Sequence, residues 1–279
     1  MNNALFSAVL CGGALAAGFV GSLTGLGGGV VIVPLLTIGL GVDMRYAIGA
    51  SLISVIATSS AAAAAYVREG FSNVRVGMLL EIATCVGALT GAALAAYVST
   101  AGLAILLGVV LVFSAFARTH KEDNLSPAPG DPNSLGVKWN LNSSWPAPHG
   151  MIPYNVRRVP LGFGIMGIAG LLSGLLGIGP GAVNVLTMDR AMGLPFKVST
   201  TTSNFMIGVT AAASAGVYLH RGYIDPGLAM PVTLGVVAGS YIGATLPAHA
   251  EVTQLRALFR LVILALGVEM IFTGVKGRI

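Results

Sequence analysis

The sequence predicts an all-α polytopic membrane protein made of two tandem homologous repeats. Three observations lead to this class: the composition, a series of apolar segments, and a second half that repeats the first. The 279 residues are 55% hydrophobic and only 9% charged, whereas a soluble domain carries about 25% charged residues. Several segments approach the roughly 20 apolar residues that a helix needs to cross a bilayer. The short alternating strands of a transmembrane barrel are not found in the sequence.

Five apolar segments are predicted in the first half, and one of them is short. A glycine-rich break, Gly25–Gly29, separates the first segment from a short piece that contains Pro34. The N-terminus lacks a cationic region and a small-residue cleavage site, so we expect Ala4–Ser22 to be a retained span rather than a signal peptide. The predicted segments are Ala4–Thr24, Val30–Leu40, Tyr46–Val67, Val76–Val98 and Ala101–Ala117.

The second half repeats the first at an offset of 152 residues without a gap. The matches include the glycines of the break and also hydroxylated and aromatic residues, which chance matching of small residues does not readily explain. The matching pairs include Gly25 and Gly177, Gly27 and Gly179, Gly29 and Gly181, Ser51 and Ser203, Thr58 and Thr210, and Tyr66 and Tyr218. We therefore predict a duplication, with repeats at residues 1–118 and 158–279.

A proline-rich linker at residues 119–157 separates the repeats. Its prolines, asparagines and serines predict an extramembranous segment without a packed core of its own. Trp139, Trp145 and Tyr154 either rest at the membrane interface or belong to a mobile tether.

The orientation of the repeats depends on the short segments. If each short segment crosses the membrane, the odd number of crossings inverts one repeat relative to the other. If it dips in and returns, four crossings remain and the repeats are parallel. Interrupted short segments at matching positions are typical of substrate sites in inverted-repeat transporters, so we favour inverted repeats.

The two glycine-rich breaks are the predicted centre of the site. Glycine lets the chain turn freely, and Pro180 suits the first turn of a new helix. A helix that begins inside the membrane directs unpaired N–H groups and a positive dipole end at the space before it, which favours an anion. The backbone positions expected to contact substrate are Gly27, Gly28, Gly29, Gly179 and Gly181.

Polar side chains near the breaks are the other predicted substrate ligands. Hydroxyl and amide groups can solvate a partly dehydrated anion without the strength of a full counter-charge. The alternatives are helix packing by small polar residues and capping of the broken helix. The candidates are Ser51, Asn184, Thr201, Thr202, Ser203 and Asn204. Ile32 is the counterpart of Asn184, so the predicted pocket is weighted to the second half.

Three charged residues are candidates for coupling or gating. Glu81 lies six residues beyond Arg75, or about 9 Å along a helix, at a depth where ionisable groups are costly and often functional. Glu81 either serves a proton relay, or it snorkels toward the interface or pairs with a basic residue. Arg45 and Lys197 occupy matching positions before the hydroxyl-rich stretches, where they either attract anions or anchor helix ends at the interface.

Composition and motifs argue against several other functions. The net charge is +5, but the basic residues are scattered at segment ends and form no stripe with aromatic residues, so no nucleic-acid partner is expected. The histidines have no metal-ligand spacing. No serine in an apolar segment has a His/Asp partner, so we predict no enzyme, no metal and no cofactor.

The glycine breaks and their surroundings resemble the sulfite exporter TauE/SafE family, also called the toluene sulfonate uptake permease family. The resemblance rests on Gly18–Gly21 through Gly27–Gly29 with Pro34, on Gly41 through Gly49–Ser51, and in the second half on Gly170–Gly174 through Gly181 and on Gly193–Lys197 through Thr201–Ser203. It implies a multi-pass permease of the inner membrane that moves sulfite, organosulfonates or related small anions. Pro180 in place of Gly28, and Thr201–Ser203 in place of Gly49–Ser51, are departures between the halves.

Together these arguments predict a secondary transporter of small anions, with sulfur oxyanions as the expected substrates. The expected partners are the anion and the lipid bilayer, and assembly into a homo-oligomer is left open. The alternatives are a passive anion channel, a transporter of another organic anion such as a carboxylate, and an accessory subunit.

Overall fold

Helices make up most of the chain in the computed structural model, which describes residues 3–24, 29–68, 71–116, 135–147, 150–245 and 252–277. The first half contains α1 (Asn3–Thr24), α2 (Gly29–Pro34) with a π-helical continuation (Leu35–Gly39), α3 (Met44–Arg68), α4 (Val74–Leu94) and α5 (Thr100–Phe116). The connecting region contains α6 (Leu135–Lys138), β1 (Ser143–Ala147) and β2 (Gly150–Tyr154). The second half contains α7 (Val159–Leu176), α8 (Gly181–Leu186) with a π-helical continuation (Thr187–Ala191), α9 (Phe196–His220), α10 (Pro226–Thr245) and α11 (Val252–Val275).

The predicted all-α class is confirmed, with one small antiparallel hairpin, β1–β2, as the departure. By length and composition, two helices of the described residues could each span a membrane: Val74–Leu94 and Val159–Leu176. From α2 and α8 onward, equivalent elements of the two halves begin 152 residues apart, as in Gly29–Pro34 and Gly181–Leu186, or Met44–Arg68 and Phe196–His220.

Glycines bring two pairs of helices into backbone contact. A Cβ added to Gly87 of α4 would meet Gly167 and Leu171 of α7, and one added to Gly239 of α10 would meet Leu15 and Phe19 of α1. The partners of Gly239 are the 152-residue counterparts of the partners of Gly87. Small residues at such interfaces are the usual means of close helix packing in membranes.

α3 and α9 pack against each other and run in opposite directions. In the first turn of α3, the Arg45 guanidinium lies 5.7 Å from the ring of Tyr223, which follows α9. In the first turn of α9, the Lys197 ammonium lies 3.7 Å from the ring of Phe71, which follows α3. Each helix therefore begins where the other ends.

Each short helix runs back alongside the helix that precedes it. The N–H of Arg157, just before α7, donates to the carbonyl of Met192, just after the second π-helical turn, at 2.9 Å. In the first half, Leu35 of the π-helical turn packs against Gly13 of α1. Each short segment therefore runs antiparallel to the helix before it, and α3 and α9 are antiparallel to each other. The orientation of the repeats in the membrane stays a prediction.

The described part of the linker packs on the helix ends. Leu141, Tyr154 and Val156 are buried in one hydrophobic cluster with Val76 of α4 and Val198 of α9. For residues 135–147 and 150–157 the structure therefore favours packing over a mobile tether, and Tyr154 is buried against the helices. Residues 117–134 and 148–149 lie outside the described residues.

Asn73 joins this linker to the helices. Its side chain caps α4 by accepting from the Val76 N–H at 3.1 Å. Its Nδ2 donates to the Leu141 carbonyl at 2.9 Å and to the Tyr154 hydroxyl at 2.8 Å. Burial raises the pKa of the Tyr154 phenol, and the bond from Asn73 partly opposes this shift.

Candidate functional site

The second glycine break lies between α3 and α9. Gly177 ends α7 with φ of +66°, and Gly179 has φ of +70°, a left-handed conformation that L side chains rarely adopt. A Cβ on Gly177 would lie 2.5 Å from the Ile48 side chain of α3, and one on Gly179 would lie 3.1 Å from Ile207 of α9. Both space and backbone conformation therefore require glycine here.

The start of α2 lies beside the second break. A Cβ on Gly29, the first residue of α2, would lie 3.0 Å from the Ser51 hydroxyl and 3.5 Å from the Ile178 carbonyl. The start of α2 thus faces the loop that precedes α8. The predicted ligands Gly27 and Gly28 lie outside the described residues.

A cavity of about 40 Å³ opens beside the second break. This exceeds the roughly 10–15 Å³ that one water needs. Its walls are largely apolar and include two hydroxyl side chains; they come from α2, α5, α7 and the start of α8, including Val30, Val110, Ser114, Ser173, Pro180 and Val183. None of the described residues that line it is charged.

Two buried polar side chains on the helices that flank the second break have no hydrogen-bond partner among the described residues. They are Ser173, which lines the cavity and is 1% exposed, and Asn184, which is 0% exposed. Asn184 follows Val183 of the cavity wall but is not itself a lining residue. Buried polar groups are normally paired, so each such exception is a candidate for contact with a water, an ion or a ligand. The first half has Gly21 and Ile32 at these positions.

Ser51 and Ser203 bind backbone carbonyls at the breaks. The Ser51 hydroxyl donates to the Gly177 carbonyl at 2.8 Å, with the Gly29 carbonyl at 3.4 Å. The Ser203 hydroxyl donates to the Gly181 carbonyl at 3.3 Å. Both serines therefore hold the broken helices against α3 and α9. Their oxygen lone pairs, rather than their protons, remain for other contacts.

Thr201 and Thr202 lie one to two turns into α9 and contact the loop before α4. The Thr201 hydroxyl donates to the Phe71 carbonyl at 3.0 Å, and the Thr202 hydroxyl accepts from the Asn73 N–H at 3.0 Å. These side chains join α9 to a loop at the helix end. Asn204 is half-buried on the following turn.

Arg45 and Lys197 lie at opposite ends of the molecule, since α3 and α9 are antiparallel. The Arg45 guanidinium also lies 3.4 Å from the carbonyls of Ala96 and Val98, after the end of α4. Cations are favourable at the C-terminal end of a helix. The structure thus assigns both residues contacts at helix ends rather than at the cavity.

Glu81 is buried between α4 and α9, where Oε1 accepts from the Thr210 hydroxyl at 2.7 Å and from the Cys85 thiol at 3.2 Å. Oε2 is buried without a partner among the described residues. Sequence reasoning missed Ser173 and Thr210 as site residues. Comparing the halves for positions where only one repeat is polar would have found Ser173, whose counterpart is glycine.

Comparisons with known proteins agree with this architecture. The model of the family described as "Sulfite exporter TauE/SafE" matches residues 10–270. The chain belongs to the sulfite exporter TauE/SafE family. This confirms the resemblance drawn from the glycine breaks, and the match covers both of them.

Relatives of this TauE/SafE chain are named as transporters. It is 25% identical over 268 residues to "Probable membrane transporter protein YunE" of Bacillus subtilis, covering 94% of this chain and 96% of the relative. It is 26% identical to "Probable membrane transporter protein YdhB" of the same organism, covering 81% and 84%. It is 24% identical to "Probable membrane transporter protein MJ0441" of Methanocaldococcus jannaschii, covering 91% of each. No solved structure matches the chain significantly.

TauE/SafE membership and these relatives identify the chain as a membrane transporter. Its apolar helices agree with a membrane location. Among the described residues, no group of three or more His, Cys, Asp or Glu side chains could hold a metal ion.

Proposed function

We propose that this protein is a secondary transporter that moves small anions, with sulfite or organosulfonates as substrates, across the cytoplasmic membrane. The observation that carries the proposal is the pair of buried, unpartnered side chains at the second break, Asn184 and Ser173. An amide presents two donors and a hydroxyl one, which suits an oxyanion. The family's description as sulfite exporters supports the choice of sulfur oxyanions.

The uncharged walls of the cavity support transport rather than storage. An anion held by amide and hydroxyl groups loses its water shell without gaining a full counter-charge. Binding is then strong enough for entry and weak enough for release. The first turn of α8 adds N–H groups that have no partner within the helix.

We further propose that the two halves are inverted repeats of a multi-pass protein. The antiparallel course of α3 and α9 supports this, because parallel repeats would give equivalent helices the same direction. The matched glycine contacts of α4 with α7 and of α10 with α1 support a two-fold relation between the halves. The two breaks then meet near the middle of the membrane, as in other inverted-repeat transporters.

The proposal is tested in proteoliposomes with sulfite, a short alkylsulfonate, sulfate and acetate as substrates. Wild-type protein should take up sulfite or the sulfonate, and substrate inside the vesicles should accelerate uptake. Uptake without this trans-stimulation would indicate a channel. Faster uptake of acetate than of the sulfur anions would indicate a carboxylate transporter. Uptake of none of these anions would overturn the proposal.

Two variants locate the site. Asn184→Leu and Ser173→Ala should each raise KM for the anion about tenfold, from the loss of a hydrogen bond worth about 1–3 kcal/mol. Asn184→Leu should also raise the melting temperature, because it removes an unpaired buried amide. If Asn184 instead has a structural role, Asn184→Leu should lower the melting temperature.

Ser214→Ala is the matched control. Ser214 is buried on α9, and its hydroxyl donates to the Thr210 carbonyl of its own helix at 3.2 Å. The KM of the Ser214→Ala variant for the anion should equal that of the wild type. Equal KM values for Ser173→Ala, Asn184→Leu and Ser214→Ala would place the site elsewhere.

A further inference from the structure

Glu81 is a buried acid that has no basic partner among the described residues. Its side chain is 7% exposed. One oxygen accepts hydrogen bonds from Thr210 and Cys85, and the other has no partner among the described residues. In a membrane span, an acid of this kind is costly and is by default a functional candidate.

The groups around Glu81 leave a carboxylate charge uncompensated. Of the titratable side chains on its own helix, Cys85 contacts it, while Arg75 donates to the Asn140 carbonyl at the helix end. α7, which packs against α4, has no titratable side chain. α9 carries Lys197 and Tyr218, which contact the Phe71 ring and the carbonyls of Gly174 and Leu175, respectively, and His220, which is exposed at its end.

One face of α9 joins Glu81 to the second glycine break. Thr210 bonds to the carboxylate, and Ile207, three residues earlier, faces Gly179 of the break. Ser203, one turn closer to the start of α9, donates to the Gly181 carbonyl. Residues three or four apart lie on the same side of a helix. A change at the carboxyl group therefore reaches the broken helix through one rigid element.

The acid is present in only one half. Its counterpart at the 152-residue offset is Thr233 of α10, whose hydroxyl is buried without a partner among the described residues. Packing of α10 thus does not require a carboxyl group at this position. If Glu81 had a purely structural role in α4, that role would be one that Thr233 does not have in α10.

We propose that Glu81 is the proton-binding site that couples anion movement to a pH gradient. The free oxygen, Oε2, takes a proton from water when the anion site is open to one side and returns it to water on the other side. The proton is neither consumed nor formed, and Thr210 positions the carboxyl group against α9. This inference rests on the proposed anion transport.

The test measures two activities of the full-length protein in the same proteoliposomes: sulfite uptake driven by an imposed pH gradient, and sulfite exchange without a gradient. In the wild type the gradient should raise the initial uptake rate at least several-fold, and a proton ionophore should remove the increase. In Glu81→Gln the gradient should no longer raise the uptake rate, and the exchange rate should stay within about twofold of wild type. Glu269→Gln, which alters an exposed acid on α11, should behave like wild type.

Thr210→Val gives a second measurement if Glu81→Gln does not fold. It should shift the external pH at which uptake is half-maximal, while Thr210→Ser should restore the wild-type value. Gradient-driven uptake that survives in Glu81→Gln would overturn the inference, and so would loss of uptake and exchange together in a folded variant. Wild-type sulfite exchange together with uptake that does not respond to the pH gradient would overturn the coupling but leave anion transport standing. Absence of all wild-type flux would overturn both.

Discussion

A methyl group added at Gly87 or Gly239 should force apart the two helices that pack through that glycine. A Cβ on Gly87 of α4 would lie 2.1 Å from the Gly167 carbonyl oxygen of α7, and one on Gly239 of α10 would lie 2.0 Å from the Leu15 carbonyl oxygen of α1. Heavy atoms in contact are about 3.5 Å apart or more, so each pair must open by roughly 1.5 Å. The obstructing atoms belong to the backbone, so no change of side-chain rotamer relieves the contact.

Gly87→Ala and Gly239→Ala should therefore destabilise the protein to similar degrees. Overpacking of this kind costs about 1–3 kcal/mol, and the better helix propensity of alanine offsets about 0.5–1 kcal/mol of it. The matched controls are Gly12→Ala on α1 and Gly164→Ala on α7, where an added Cβ meets nothing within 4 Å. These two glycines are also 152 residues apart, so each half supplies one crowded site and one open site.

Thermal melts of the four purified variants in one detergent provide the measurement. The two crowded variants should melt below wild type, and the two open ones should melt at or above it. If all four melt together, the close contacts of α4 with α7 and of α1 with α10 are wrong. If only one crowded variant loses stability, the two contacts are not equivalent, and the two-fold relation between the halves loses this support.

Three further changes test the surroundings of the site. Ser51→Ala should lower the free energy of unfolding by about 1–3 kcal/mol, because it leaves the buried Gly177 carbonyl without its donor; thermal melts check this. Arg45→Gln and Lys197→Gln should each cost about 0.5–1 kcal/mol from the lost cation–π contact without changing KM for the anion, and a raised KM would instead favour attraction of the anion. Burial raises the pKa of Tyr154, so its contribution to stability should be complete below about pH 10 and decline as pH rises toward the folded pKa; Tyr154→Phe should show a smaller alkaline loss in melts between pH 8 and 11.

Local signals located the helices and their interruptions. Glycine clusters and a proline at a helix start depend on backbone conformation, which a few residues determine, so the starts of α2 and α8 follow from Gly29 and Pro180. The offset of 152 residues then predicts equivalent elements, and the bounds of α3 and α9 differ by that same number.

Partner choice and chain direction could not be predicted in the same way. Ser51 was expected to contact an anion, but its nearest acceptor is the carbonyl of Gly177, a residue 126 positions away. Such a bond depends on how α3 packs, which no local pattern specifies. The folded part of the linker was missed for the same reason, since Tyr154 is buried by residues of α4 and α9 rather than by its own neighbours.

The packing of the two halves is closely matched, but their polarity is not. Gly87 and Gly239 make equivalent contacts. In contrast, the residues that correspond to Asn184, Ser173 and Glu81 in the other half, at the offset of 152, have different chemistry. Close packing restricts both copies of a helix interface alike, because either copy loses stability if a glycine is enlarged. A single substrate site does not need two copies of its polar groups, and an unpaired buried amide or carboxyl group costs stability wherever it occurs. A pseudo-symmetric frame with polar groups in one half is therefore the arrangement expected if one anion site and one proton site serve the whole molecule.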